Sequence, residues 1–443
     1  MKNIEIHDFR CFRQLSVDFA PGINLLIGDN ASGKTSFLLA CKYAANCFFS
    51  GFSDQFTLWS SPQKDDFLRL NIGEKRFGTQ PIEVAFSYFK NELDEAEAFG
   101  LDTNLQVLIC KNEKNRKPLI SGLKHLRDYG KFLLSSSIKV EYAKAREAQV
   151  IALPLIASYS THGIHKNQKV NSNYFKEINQ TPSFGYYLCG STDGLLEHWI
   201  RRMLILVEAG KNFTEQNIVI RALMDMFGEM GCNVISGFDV RINYKDIICI
   251  FKDGRETPIS ILSDGYRRLV SIVVDLAFRC ALLNGLKYGE GAARMTKGTV
   301  IIDEIDLHLH PSLQSIVLKA LQNTFPNIQF IVSTHAPMVM SGVESDDRNC
   351  VMYMEYDAKG KAYLVNRVNT YGMDLSTLAE TVLKVPSRNP VVKKELDILV
   401  EHIDNEEYAD AKKLLARLKK QFGDRLPELS GFDTQISIEE ALQ

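Results

Sequence analysis

Ile4-Glu5-Ile6 and Leu15-Ser16-Val17-Asp18-Phe19 alternate apolar and polar positions, the two-residue period of half-buried antiparallel strands. The alternation stops at Ile23-Asn24-Leu25-Leu26-Ile27, which predicts a more buried strand feeding a glycine-bounded loop and a helix from about Lys34. Residues 82–89 predict another strand, closing a first lobe. Between about 91 and 201 the pattern changes to a charged segment at 111–117 and a polar helical stretch at 122–149, so an inserted, mostly helical lobe is expected there. Neither sustained heptads nor a CxxC pair occur in it, which excludes a long coiled-coil arm.

The apolar stretch 150–158 is expected to return the chain to the core. Helices follow at 199–207 and 219–227, a hairpin at 240–251 turning near Lys245-Asp246, and a long apolar helix at 269–283. A buried strand at 299–302, a helix at 312–325 and a strand at 329–332 complete an alternation that predicts a parallel α/β sheet. Beyond about residue 343 a strand pair is expected around 351–354 and 362–365, then helices, including an amphipathic one at 408–422. The division expected is 1–92 and 201–345 for the two lobes of an α/β head, 93–200 for the insert, and 346–443 for a C-terminal strand pair and helical module.

Composition narrows the class. Hydrophobic residues at 45% and charged residues at 24% are those of a globular chain, not a disordered or fibrous one. A formal net charge of -2 gives no global attraction to nucleic acid, so any DNA contact is expected through a local patch or a partner. The 9 cysteines lie far apart and read as reduced thiols of a cytoplasmic protein. The opening MKNIEIHDFR has no apolar stretch behind its lysine, and no apolar run nears the roughly 20 residues that span a bilayer, so neither export nor membrane insertion is expected.

Chemistry concentrates in four places. Gly28-Asp29-Asn30-Ala31-Ser32-Gly33-Lys34-Thr35 fits GxxxxGK[ST] between a predicted strand and helix, the context of a phosphate-cradling loop. Its glycines let backbone N–H groups wrap a phosphate, and the helix N-terminus adds a favourable dipole. Gly28, Asn30, Ala31, Ser32, Gly33, Lys34, Thr35 and Ser36 are therefore ATP-binding candidates, with Lys34 reaching the β/γ oxygens and Thr35 ligating Mg²⁺. The strand ending in Asp303-Glu304 must present both carboxylates at the C-terminal edge of the sheet, beside that loop. Asp303 is expected to hold magnesium through water, and Glu304 to polarise the attacking water. His335, in Ser333-Thr334-His335 after the next strand, can reach a γ-phosphate from the same edge. Ile261-Leu262-Ser263-Asp264-Gly265-Tyr266-Arg267-Arg268 precedes the long apolar helix and supplies the fourth element.

That fourth element resembles the LSGGQ signature of ABC and SMC ATPases, with Asp264 and Tyr266 where many relatives carry glycine and glutamine or glutamate. The resemblance implies that Ser263, Asp264 and Gly265 bind the γ-phosphate held by a second copy, and that His335 is a switch histidine. With the four elements in this order, the chain resembles ABC-type ATPases of the RecF, SMC and OLD kind. His7-Asp8-Phe9-Arg10-Cys11-Phe12 is similar to their N-terminal loop, which makes Arg10 a further nucleotide candidate, while Gln63 is the residue available for their Q-loop. His308 and His310 fall in the loop after the carboxylates, which in this family shapes the dimer contact, and Asp306 is a candidate there. Tyr371-Gly372-Met373-Asp374, Arg388 and the helices beyond resemble the C-terminal module of PtuA-type ATPases of Septu and retron-linked anti-phage systems. That likeness implies a nucleotide-gated homodimer with ATP and Mg²⁺, assembly into a higher homo-oligomer, and an HNH-type nuclease partner, PtuB. The chain itself shows no HNH pattern. A RecF- or OLD-like DNA-repair ATPase and the ATPase subunit of a PARIS-type toprim system are the alternatives.

Overall fold

The structure, a computed structural model, describes residues 1–52, 56–57, 60–67, 81–88, 107–111, 119–121, 123–142, 151–160, 170–178, 180–190, 195–210, 213–356 and 363–441. Met1–Met373 form one compact unit and Asp374–Gln443 a second.

In the first unit, β1 (Asn3–Phe9) and β2 (Phe12–Asp18) pair antiparallel, and their alternation turns Ile4, Ile6 and Phe9 inward opposite Val17, Leu15 and Phe12. β3 (Ile23–Ile27) is buried along its whole length. β4 (Ile82–Ser87) pairs with the free side of β1, and β5 (Val107–Lys111) and β6 (Leu119–Ser121) extend this sheet to the order β2-β1-β4-β5-β6. The stretch expected to be a mostly helical insert thus contributes two strands as well as the helix Leu123–Tyr142 among the described residues. The physical reason is the open edge of β4, whose unpaired N–H and C=O groups β5 satisfies. Residues 112–117 of the charged segment and 143–149, the end of the polar stretch, lie outside the described residues, while Lys111 ends β5.

β7 (Leu155–Tyr159) returns to the core as expected. β8 (Ile235–Arg241), β9 (Asp246–Phe251) and β10 (Glu256–Pro258) form a small antiparallel sheet, with Lys245 left-handed at the predicted turn. β11 (Gly298–Ile302), β12 (Ile328–Ser333), β13 (Cys350–Tyr356) and β14 (Tyr363–Val368) complete a six-stranded sheet of order β14-β13-β3-β12-β11-β7, parallel except for β14. β3, β7, β11 and β12 are buried at every position, which is why they read as continuous apolar runs. The strand pair assigned from sequence to the C-terminal module belongs to this sheet instead, because β13 pairs in parallel with β3, Val351 opposite Leu25 and Met352 opposite Leu26. Parallel order carries the ends of β3, β11 and β12 to one edge, so the loops that leave them must share a crevice.

The helix Asp264–Tyr288 is the longest described element. Together with the residues to Met295 it has the length and composition of a membrane-crossing helix, although Asp275 and Arg279 interrupt its apolar run. It is nevertheless packed inside the fold, and its interior polar groups are satisfied by protein. Asp275 accepts from Tyr159 Oη and Trp199 Nε1, each at 2.7 Å, and from Arg279 Nε at 2.7 Å; Arg279 Nη1 donates in turn to the carbonyls of Gly185 and Tyr187. The single helix expected at 312–325 is two, Pro311–Gln314 and Val317–Thr324, broken where Ile316 takes φ −116°.

The second unit packs the helices Pro390–Asp404, Tyr408–Phe422 and Glu428–Ala441 around Leu396, Leu399, Ile403, Ala411, Leu415, Leu418, Leu429 and Ile436. Asn389 caps its first helix by accepting from the Val391 N–H, with Pro390 in the first turn. Arg388 pairs with Glu428 at the start of the third. All 9 cysteines of the chain are free.

Candidate nucleotide site

β3 delivers the chain into Gly28-Thr35 with an unusual run of dihedrals: Gly28 at φ 147°, Ala31 at 64° and Gly33 at 94°. Two of these positions also forbid a side chain. A Cβ on Gly28 would stand 2.4 Å from the Met354 carbonyl oxygen, and one on Gly33 would stand 2.9 Å from Phe12 Cζ. The loop is therefore clamped between β13 and the β1–β2 turn, and the helix Lys34–Asn46 begins directly after it. Lys34 is buried, its Nζ donating to the carbonyls of Gly28 and Asp29 at 2.8 Å each and to Ser32 Oγ at 3.3 Å. Burial pulls its pKa down, opposed by the charges of Asp29, Asp303, Glu304 and Asp306. Asn30 and Ala31 stay exposed at the tip, and Ser36 is half-buried in the first helical turn.

β11 delivers Asp303 to the same place. Its Oδ2 accepts from Thr35 Oγ1 at 3.1 Å and its Oδ1 from Ser333 Oγ at 2.6 Å. Ser333, the last residue of β12, also accepts from the Glu304 N–H at 2.8 Å. Glu304 is left-handed at φ 51°, a conformation that costs a non-glycine residue about 1–2 kcal/mol and has to be held from outside. Arg268 does so from the helix Asp264–Tyr288, donating from Nη2 to the Asp303 carbonyl at 2.7 Å and from Nη1 to that of Glu304. Asp306 accepts from Thr334 Oγ1 at 2.5 Å and from the His335 N–H at 3.3 Å, which leaves the His335 ring exposed at this edge.

The structure thus brings Gly28–Thr35, Asp303-Glu304 and Ser333–His335 together. Thr35 and Asp303 offer hard oxygens at hydrogen-bond distance, a donor set suited to Mg²⁺. Ser263 and Asp264 are exposed at the start of their helix, and the Ser263 hydroxyl makes no capping bond. Among the described residues no hydrogen bond joins Ser263–Gly265 to Gly28–Thr35. Gly265 instead lies against the loop after the carboxylates, where a Cβ would meet the His308 carbonyl oxygen at 2.1 Å. Within that loop His308 is left-handed and His310 caps Pro311–Gln314 by accepting from Ser312 N–H. No cluster of three or more His, Cys, Asp or Glu able to hold a metal ion occurs among the described residues.

Arg10 sits in the β1–β2 turn with its Nε donating to Asp66 Oδ1 at 2.8 Å. The Gln63 side-chain amide donates to the Ser61 carbonyl at 2.6 Å. Sequence reasoning named Ser333 and Arg268 only as parts of motifs, and missed Asp66 and Tyr43. A polar residue at the end of an otherwise apolar strand, as Ser333 is, was the available signal; Asp66 had none.

Several known proteins resemble this chain. The Retron Vc95 probable ATPase of Vibrio cholerae serotype O1 biovar El Tor is 37% identical over 146 residues, 33% of this chain and 27% of that protein. The Septu protein PtuA of Bacillus thuringiensis is 25% identical over 422 residues, covering 92% of this chain and 90% of the relative. The chain spans well under half the length of the Vc95 protein and of two further relatives, the Retron Ec83 probable ATPase of Escherichia coli and the Septu protein PtuA of Bacillus mycoides, at 27%, 31% and 39%. A solved SMC head bound to the C-winged helix domain of ScpA aligns with 83% of this chain and 97% of its own at 13% identity, with a TM-score of 0.47. The RecF/RecN/SMC N-terminal domain model matches residues 1–360, most of the chain, and the protein belongs to that family.

Proposed function

We propose that this chain is an ATP-binding and ATP-hydrolysing subunit of a bacterial anti-phage defence complex, working as a nucleotide-gated homodimer that controls a separate HNH-type nuclease. The observation that carries the ATP site is the contact of Thr35 Oγ1 with Asp303 Oδ2 at 3.1 Å, which ties a phosphate loop to a carboxylate strand 268 positions later. In this reading the loop's N–H groups and Lys34 hold the phosphate chain, Thr35 and Asp303 take Mg²⁺, Glu304 orients the attacking water, and His335 lies at the γ-phosphate end. The metal, held by Thr35 and Asp303, would supply charge neutralisation on the phosphates.

Pairing is supported by what the site lacks in one copy. Ser263 and Asp264 are exposed with an unused hydroxyl, so they are free to close on a nucleotide in a second copy's loop. The defence role is supported by the Septu relative, which aligns along nearly the full length of both chains. We assign the nuclease contact to that unit, the cutting to the partner, the complex to the cytoplasm, and assembly beyond the dimer to the homo-oligomer. The test is mass spectrometry of what co-purifies with the full chain from its host, with and without ATP. An HNH-type nuclease in the complex is expected; a toprim protein in its place would overturn the partner assignment.

A further inference from the structure

Asp66 is a buried carboxylate surrounded by donors, 2% exposed. Its Oδ1 accepts from Arg10 Nε at 2.8 Å, and its Oδ2 accepts from Tyr43 Oη at 2.7 Å and from the Gln63 N–H at 2.8 Å. Its own carbonyl accepts from the Arg10 N–H at 2.8 Å. Burial, with the Asp66 charge beside it, pushes the Tyr43 hydroxyl pKa upward, so the phenol remains a donor. A carboxylate taken out of water without partners is strongly disfavoured; here a guanidinium and two neutral donors satisfy it.

What this cluster joins gives it meaning. Tyr43 belongs to the helix Lys34–Asn46, which the phosphate loop starts. Arg10 is left-handed at φ 51°, two residues after Asp8 at 52°, so the β1–β2 turn carries strain that packing must offset. Two contacts hold it. Asp66 bonds both the backbone and the side chain of Arg10, and the next two residues press on the phosphate loop, since a Cβ on Gly33 would lie 3.1 Å from Cys11 Sγ and 2.9 Å from Phe12 Cζ. The Arg10 side chain is gripped at Nε and remains 30% exposed. Gripped there, a guanidinium keeps its Nη1 and Nη2 edge for two oxygens of one anion, a geometry that an ammonium lacks.

We infer that Asp66 is a positioning residue for nucleotide recognition: by holding Nε, it sets Arg10 as a fork for the phosphate chain beside Gly28–Thr35. This rests on the ATP site proposed above and adds to it a residue outside every motif. Arg10 is the group that touches the ligand; Asp66 acts through it, from the same buried cluster that anchors the phosphate-loop helix.

Calorimetric titration of the full chain with a non-hydrolysable ATP analogue and Mg²⁺ tests this. Asp66→Ala and Arg10→Ala should each weaken binding about tenfold, the value of a lost charge-assisted bond, and the double variant should be no weaker than Arg10→Ala alone. Arg10→Lys should lose nearly as much, because a single ammonium nitrogen cannot reach Asp66 and at the same time present the separated, planar Nη1 and Nη2 donors to two phosphate oxygens. Where Asp66→Ala fails to fold, Asp66→Asn, which keeps an oxygen for Tyr43, is read the same way. Wild-type affinity in the Asp66 variants, or losses that multiply in the double variant, would overturn the inference while binding still required Lys34. Binding indifferent to Lys34→Ala would overturn the nucleotide site itself, and this inference with it.

Discussion

Gly265→Ala is the smallest change that separates the two halves of the proposed site. The added methyl would stand 2.1 Å from the His308 carbonyl oxygen and 3.2 Å from the Leu309 nitrogen, both backbone atoms that cannot rotate away. Reaching the 3.4 Å at which ordinary contact begins requires the helix start and the loop to part by about 1.3 Å. Overpacking of this kind costs about 1–3 kcal/mol, and a catalytic group displaced by about 1 Å loses on the order of a hundredfold in rate. The phosphate loop lies elsewhere, so one copy should still bind ATP as wild type does. Calorimetry for binding, light scattering for ATP-dependent pairing and phosphate release for turnover separate these effects. A Gly265→Ala variant that pairs and hydrolyses normally would refute the reasoning, as would a folded variant that no longer binds ATP.

Three other outcomes follow from the geometry. Ser333→Ala removes the hydroxyl shared by Asp303 and the Glu304 N–H, so turnover should fall about five- to 150-fold at nearly unchanged ATP affinity, for a loss of about 1–3 kcal/mol; an unaltered single-turnover rate would contradict this. Glu304→Gln should bind ATP and slow hydrolysis about a hundredfold, stabilising the ATP-bound pair in sizing experiments. Lys34→Ala should weaken ATP binding at least about tenfold, since its ammonium is the buried cation of the loop.

The two motifs that made the site legible are local. Gly28–Thr35 announces itself because its dihedrals demand glycine at fixed spacing, and Asp303-Glu304 because a buried apolar strand can end in carboxylates only at an accessible edge. What the sequence did not reveal depends on partners far along the chain. β13 and β14 read as a separate strand pair until β3 is seen to offer its open side. β5 and β6 are short, and only the edge of β4 makes strands of them. The grip of Arg268 on the carbonyls of Asp303 and Glu304, across 35 and 36 positions, leaves no pattern in the residues between. Asp66 is the extreme case, one carboxylate in a segment without periodicity that meets Arg10 56 positions earlier.

The paired ATP site is tested most directly by mixing two defective copies. Lys34→Ala retains Ser263–Gly265 but lacks its own phosphate grip, and Ser263→Arg retains the phosphate loop but lacks the group that closes the site opposite. Each alone should be inactive. An equal mixture should regain hydrolysis of up to about half the wild-type rate, because each mixed pair contains one complete site of two and neither variant closes a site with itself. Restored turnover on mixing is the predicted result; a mixture as inactive as its components, with ATP-dependent pairing intact, would contradict a site shared between two copies.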